Sequence, residues 1–299
     1  MEIPIKISQF AKIPKLLPLN KIIRSNAFTA KQLGTVGMIS KDDETIAAGN
    51  VGTMVDYLTR AILLTDDHAF DVANIQLKKD FDQGLVSPDD LVKVVDEKER
   101  LKKIAKATSE IDDLPDEVFK MARDVCAWEE AYRSGIYVKP ETYPDKVTIS
   151  HIREMLKRVE HFFEEYGWPT RDAFIASTKN NCLAGEGDYL LKDVLVDLKV
   201  SNAQSMQIYW VRQLLVYYTL GFYNNFNDEK INCLMIFNAR IDTVYFVKIA
   251  DIDESEFEFV NNAAEKQSKK NEQVLKLLGI KLKWKTEIKI KEKYKNEKI

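Results

Sequence analysis

Gly185-Glu186-Gly187-Asp188-Tyr189-Leu190-Leu191-Lys192-Asp193-Val194-Leu195-Val196-Asp197-Leu198-Lys199-Val200 is the stretch on which the reading of the fold turns. Two apolar runs, 189–191 and 194–196, flank the polar pair Lys192-Asp193, a pattern that predicts a hairpin of two short strands. Side chains alternate along a strand. Val196, Leu198 and Val200 therefore share one face, and Asp197 and Lys199 share the other. A carboxylate and an ammonium on an otherwise buried strand are costly unless they are paired or put to use. Asp188 brings a third charge at the start of the preceding strand, directly after Gly187, where the missing side chain lets another group come close.

Around this hairpin the chain reads as α/β. Residues 173–178 predict a first strand, and 231–237 with 243–249 a second hairpin across the turn Asn238-Ala239-Arg240-Ile241-Asp242. Between the two hairpins, 207–223 predicts a helix with Tyr209, Leu214, Leu215, Tyr218 and Phe222 available to a core. Trp210, Gln213 and Tyr217 lie on a neighbouring face. Gln213 and Tyr217 are one turn apart, so their polar tips can reach one ligand or satisfy each other. Residues 45–64 predict another helix, because Val51, Val55, Leu58 and Ile62 fall on a single stripe. Gly49, Gly52 and Asp56 share a different face. A glycine inside a helix costs about 1 kcal/mol relative to alanine, so these positions suggest either close packing that delivers Asp56 to a neighbouring backbone or a plain helix contact.

Residues 66–167 read as a helical insertion, with helices at 88–108, 115–134 and 150–166. The first two open on proline followed by acids, and 135–147 is the main linker. The lead-in, 1–44, carries Pro4, Pro14 and Pro18 and reads as irregular, with a helix at 20–24. Residues 258–278 predict an amphipathic helix. In 280–290 apolar residues alternate with lysines, which predicts a strand serving as a guarded edge or as a phosphate-facing ribbon. The domain reading is thus 1–44 as a basic lead-in, 45–65 and 168–260 as the core, 66–167 as the insertion, and 261–299 as a C-terminal helix and basic tail.

With 299 residues, 45% hydrophobic and 30% charged, the chain has the composition of an ordinary globular protein. Its net charge of −3 is unevenly spread. Residues 3–41 hold seven Lys and Arg and no acid, and 281–299 hold eight lysines against three glutamates, so the body between is strongly acidic. Basic ends on an acidic body suit a phosphate-rich partner, or are two solvated tails. Cys126, Cys182 and Cys233 lack CxxC spacing and point to a reducing cytoplasm without disulfides. No apolar run approaches the ~20 residues of a membrane span, and the N-terminal pattern is not that of a signal peptide. His68, His151 and His161 have no partner at an evident ligand spacing and read as surface or core residues.

The Asp188…Asp197-x-Lys199 arrangement resembles the core of the PD-(D/E)xK nuclease superfamily. Gly187-Asp188 is similar to the GxxD turn of its RecB-like branch, and Gln213-Leu214-Leu215-Val216-Tyr217 to that branch's QxxxY helix. Gly52-Thr53-Met54-Val55-Asp56 is similar to its GTxVH helix, with Asp in place of His. The resemblance covers roughly 45–65 and 170–250. It implies a restriction-endonuclease-like core, a mixed sheet flanked by helices, and a nuclease acting on DNA, with RNA left open. Asp188 and Asp197, Asp56 in the histidine's place and the Leu198 carbonyl would hold Mg²⁺ or Mn²⁺. Lys199 would assist the attacking water, and Gln213 and Tyr217 would position the lysine or the strand. The branch's four-cysteine iron–sulfur cluster is not available from three scattered cysteines. Trp210 and Trp284, with the basic ends, would grip the backbone and stack bases. The alternatives are a catalytically silent nuclease fold that binds nucleic acid or protein, and a helical scaffold with a chance D-x-K.

Removing residues 281–299 should weaken DNA binding and flatten its salt dependence, by about one unit of log–log slope for each phosphate that the tail neutralises. Affinity titrated against salt tests this, and an unchanged slope would leave the lysine face as an edge guard only.

Overall fold

The computed structural model describes residues 5–34, 37–224 and 229–279. From the N-terminus the elements are β1 (Ile5–Lys6), α1 (Ile7–Ala11), β2 (Thr29–Gln32), α2 (Ala48–Leu58), α3 (Asp71–Asp82), α4 (Pro88–Ala107), α5 (Asp116–Ser134) and α6 (Lys146–Tyr166). There follow β3 (Phe174–Ser177), β4 (Leu183–Gly187), β5 (Tyr189–Leu190), β6 (Val194–Lys199), α7 (Ile208–Tyr218), β7 (Cys233–Asn238), β8 (Thr243–Lys248) and α8 (Glu254–Leu277). Helices α2 and α7 each run on into a π-helical turn, Thr59–Leu63 and Thr219–Tyr223.

The architecture is α/β, a five-stranded mixed sheet flanked by helices. Its order is β2-β8-β7-β6-β5. Strands β6 and β7 pair in parallel and are joined through α7, while the other pairings are antiparallel. A strand covered on both faces should be apolar throughout, and β7 is: Leu234 and Ile236 pack with α1, α7 and α8, Met235 and Phe237 with α2 to α6. Helix α6 lies directly on the sheet, its Phe162 ring stacked on Phe237 at 4.5 Å. The Lys192-Asp193 hairpin closes through the Leu191 N–H, which donates to the Val194 carbonyl at 2.9 Å. As the alternation requires, Val196, Leu198 and Val200 join the cluster on the α2–α6 side, leaving Asp197 and Lys199 on the α7 side.

A second sheet, β1-β4-β3, abuts the first. The chain passes from one sheet to the other at Asp188, the single residue between β4 and β5. Gly187 permits the passage: a Cβ there would lie 2.0 Å from the Phe174 ring. On α2, Gly52 brings the helix against Val200, 3.6 Å from where its Cβ would stand, whereas Gly49 has nothing within 4 Å. Gly52 therefore faces a neighbour at ordinary contact distance and Gly49 faces open space, so neither position requires glycine for a close approach.

Strand β4 escapes the sequence reading because Gly185 and Gly187 depress its β-propensity. Residues 20–24 form no helix. Instead Ile22 is buried and the Ile23 N–H donates to the Glu256 carboxylate. Helix α3 adds a fourth member to the helical block. The expected strand at 280–290 lies outside the described residues. Among the described residues no helix is long and apolar enough to cross a membrane.

Two buried arginines fix the loops around the sheet. Arg240, with no exposed side-chain surface, makes a bidentate pair with Glu44 at 2.7 and 2.6 Å. Arg158 donates to the carbonyls of Gly37, Ala239 and Arg240. Asn238 then holds the segment after β6, accepting from the Ser201 N–H at 3.0 Å and donating to the Ser201 carbonyl at 2.9 Å.

Gly187→Ala should cost about 1–3 kcal/mol, because the added methyl must displace a buried ring. Gly49→Ala should be neutral or stabilising by up to about 1 kcal/mol. Denaturant unfolding of the two variants compares them directly, and equal stabilities would refute the packing argument.

Candidate functional site

Strands β5 and β6 pair only at Tyr189↔Val196 and Leu190↔Leu195. One residue earlier, where the register sets Asp188 opposite Asp197, the chain turns away into the other sheet. The backbone bond missing there is replaced by a side-chain one, with Asp188 Oδ2 accepting the Leu198 N–H at 2.7 Å. Asp197 is 1% exposed, and Lys199, two residues on and so on the same face, closes on its carboxylate as an ion pair. From Lys199 a chain of bonds runs through α7. Its Nζ donates to Gln213 Oε1 at 3.4 Å, Gln213 Nε2 donates to the Tyr217 hydroxyl at 3.3 Å, and that hydroxyl donates to the Glu186 carbonyl at 2.8 Å. The i, i+4 spacing on α7 thus ties the lysine of β6 back to β4.

Asp56 arrives from the opposite layer. Its Oδ1 accepts the Tyr189 hydroxyl at 2.9 Å and Arg60 Nε at 3.3 Å. The Arg60 guanidinium lies 5.6 Å from the Tyr189 ring centroid. The site therefore forms at the strand edge where the two helical layers meet.

Its electrostatics follow from burial. Loss of water, then the charges of Asp197 and Asp56, push Asp188 up to about 8, against the opposing pull of Lys199 and Arg60. Burial also lifts Asp197, opposed by Lys199. Burial works to lower Lys199, yet Asp197 and Asp188 hold it above its ordinary value, so it stays an ammonium. Burial, with the same two carboxylates, keeps Tyr217 a neutral hydroxyl donor.

Asp56, Asp188, Asp197, Leu198, Lys199, Gln213 and Tyr217 thus come together at one place, linked by hydrogen bonds or within one another's field. The Leu198 N–H is the group that meets Asp188. Among the described residues no set of three or more His, Cys, Asp or Glu side chains stands in a metal-ligating arrangement. The carboxylates are instead turned to internal cations, Asp197 to Lys199 and Asp56 to Arg60. No family model, curated protein or solved structure matches the chain.

Some site expectations need correction. Trp210 is fully buried in the cluster beneath α7 and cannot stack on a base. Its position, i to Gln213's i+3, points it inward once α7 lies on the sheet. Trp284 and the basic tail lie outside the described residues. Each histidine does have a carboxylate neighbour: His68 meets Asp71 at 3.0 Å, His151 meets Glu44 at 3.3 Å and His161 meets Glu164 at 3.7 Å. None of these pairs involves Asp56, Asp188 or Asp197. Two residues at the site were missed. Arg60 carried a signal, an acid-to-arginine i, i+4 spacing from Asp56. Tyr189 carried none, since its ring belongs to the apolar run and only its hydroxyl reaches the site.

A carboxyl raised in the folded state disfavours folding as pH climbs from its unfolded to its folded pKa. Asp188→Asn removes that burden. The variant's stability advantage over the parent should grow from about pH 4 to about pH 8 and be flat above. The slope should be at most about 1.4 kcal/mol per pH unit. Metal-free unfolding at a series of pH values measures it, and a pH-independent difference would contradict the burial argument.

Proposed function

We propose that the protein is a metal-dependent nuclease that hydrolyses phosphodiester bonds in DNA, built on the restriction-endonuclease-like core of the PD-(D/E)xK superfamily's RecB-like branch. The observation that carries this reading is the convergence of Asp188, Asp197 and Lys199 where the chain changes sheets. The order of elements supports it: an antiparallel run through β3, β4 and the β5–β6 hairpin, then α7, then β7 parallel to β6.

The oxygen donors are of the kind that suits a hard divalent cation, and to hold one Asp197 and Asp56 would have to turn from Lys199 and Arg60. Asp188 and Asp197 are oxygen ligands suited to Mg²⁺ or Mn²⁺, both desolvated, and the charges of Asp197 and Asp56 raise the proton affinity of Asp188, a repulsion that a dication would relieve. Asp56, with one oxygen taken by Tyr189 and Arg60, offers the other, and the Leu198 carbonyl is the main-chain candidate. A cation bound there supplies polarisation of the phosphate and a bound water of lowered pKa. The chain's own contribution is positional and electrostatic. Lys199 places a fixed positive charge beside the attacking water and the developing phosphorane charge. Gln213 holds the ammonium, and Tyr217 anchors Gln213 to the β4 backbone.

A second reading, a catalytically silent nuclease fold that binds nucleic acid or protein, is favoured by one observation. Lys199 and Arg60 already pair the carboxylates without a metal. Labelled linear and circular DNA incubated with Mg²⁺, Mn²⁺ or EDTA separates the two. Under the nuclease reading, Asp197→Asn and Lys199→Ala should each lower cation-dependent cleavage by at least roughly 10²–10³-fold while thermal melts and gel shifts stay close to the parent. Full activity in either variant, or no cleavage by the parent with any cation, counts against it.

A further inference from the structure

Arg60 uses little of what a guanidinium can do. Only its Nε donates among the described residues, to Asp56 at 3.3 Å, long for a charge-assisted bond. No hydrogen bond from either Nη group to a described residue accompanies it; the side chain is 14% exposed and lies in the field of Asp56, Glu186 and Asp188. The guanidinium is held from behind, over the Tyr189 ring and against a carboxylate that Tyr189 also grips. It sits on the π-helical turn Thr59–Leu63, a local widening of the helix often found at functional sites. A partly enclosed arginine whose described hydrogen bonding uses Nε alone keeps its Nη pair available to two oxygens of a phosphate.

We propose that Arg60 is a phosphate-binding residue of the site, its Nη edge taking the non-bridging oxygens of a nucleic-acid phosphodiester beside the carboxylates, with Asp56 and Tyr189 orienting it. This rests on the nuclease reading. Without a cation Asp56, Asp188, Asp197 and the neighbouring Glu186 repel a phosphate. With a cation offsetting that charge, Arg60, still oriented by Asp56 and Tyr189, presents its Nη pair to the substrate. Arg60 then governs substrate binding, while Asp188, Asp197 and Lys199 govern the chemical step.

The test uses the full chain, a duplex oligonucleotide and Ca²⁺ in place of Mg²⁺ to hold cleavage off. Arg60→Met should weaken duplex binding about tenfold or more and lower the log–log salt slope by about one. Its KM for cleavage in Mg²⁺ should rise more than its kcat falls. Mg²⁺ affinity by calorimetry should be unchanged or tighter, because a competing internal cation has gone. Arg60→Lys should keep the slope, since the charge remains, and still bind more weakly than the parent, since the fork is gone. Parent-like duplex affinity and slope in Arg60→Met would overturn the proposal. So would weakened Mg²⁺ binding with duplex affinity intact, which would make Arg60 a support for Asp56 alone. If Arg60→Met fails to fold by thermal melt, Arg60→Lys decides: weaker binding at an unchanged slope supports the proposal, and binding identical to the parent overturns it. A parent chain that neither binds nor cleaves nucleic acid with any cation defeats the nuclease reading itself, and this shows before any variant is made.

Discussion

A strand that leaves one sheet for another strips a backbone partner from its neighbour, and a buried N–H without an acceptor is rarely tolerated. Here the loss falls on Leu198, and the Asp188 carboxylate makes it good at 2.7 Å. That bond pins the parting of β4 from β6. It also forces a charge into a desolvated position opposite Asp197. The gathering of charge at the strand edge is thus a consequence of how the two sheets join. Lys199 and Arg60 are the counter-charges that make the arrangement tolerable in a folded chain.

The two helical layers contribute unlike parts. Helix α7 fixes the lysine through Gln213 and Tyr217, side chains held by packing at their base and by one another at their tips. Helix α2 reaches over the strand edge from the other side, with Gly52 facing Val200, and delivers Asp56 to Tyr189. Glu44, Arg240 and Arg158 tie the N-terminal segment to the β7–β8 turn through bonds with little or no solvent to compete. A site whose groups must be held to fractions of an ångström needs such a frame.

Much of the framework was legible in the residues. Period-two alternation placed Asp197 and Lys199 on one face of β6 and Val196 and Leu198 on the other. Helical spacing put Gln213 and Tyr217 within reach of each other, and the apolar stripe of Val51, Val55 and Leu58 set the inward side of α2. The two hairpins were marked by their turn residues. These features depend only on the geometry of a single element, which repeats every 2 or 3.6 residues whatever surrounds it.

What the chain's order alone could not decide is where elements meet. Strand β4 is held by its neighbours β1 and β3, so its glycines, poor for a strand in isolation, conceal it. Trp210 is apolar enough for a core and aromatic enough for a ligand, and only the docking of α7 on the sheet chose the core. The bond from Tyr189 to Asp56 spans 133 residues, and that from Asp188 to Leu198 exists only because the β5–β6 ladder stops after two pairs. Periodicity dictates which way a side chain points from its own backbone. What it points at is decided by long-range packing, since burial rewards the whole assembly of elements rather than any one of them.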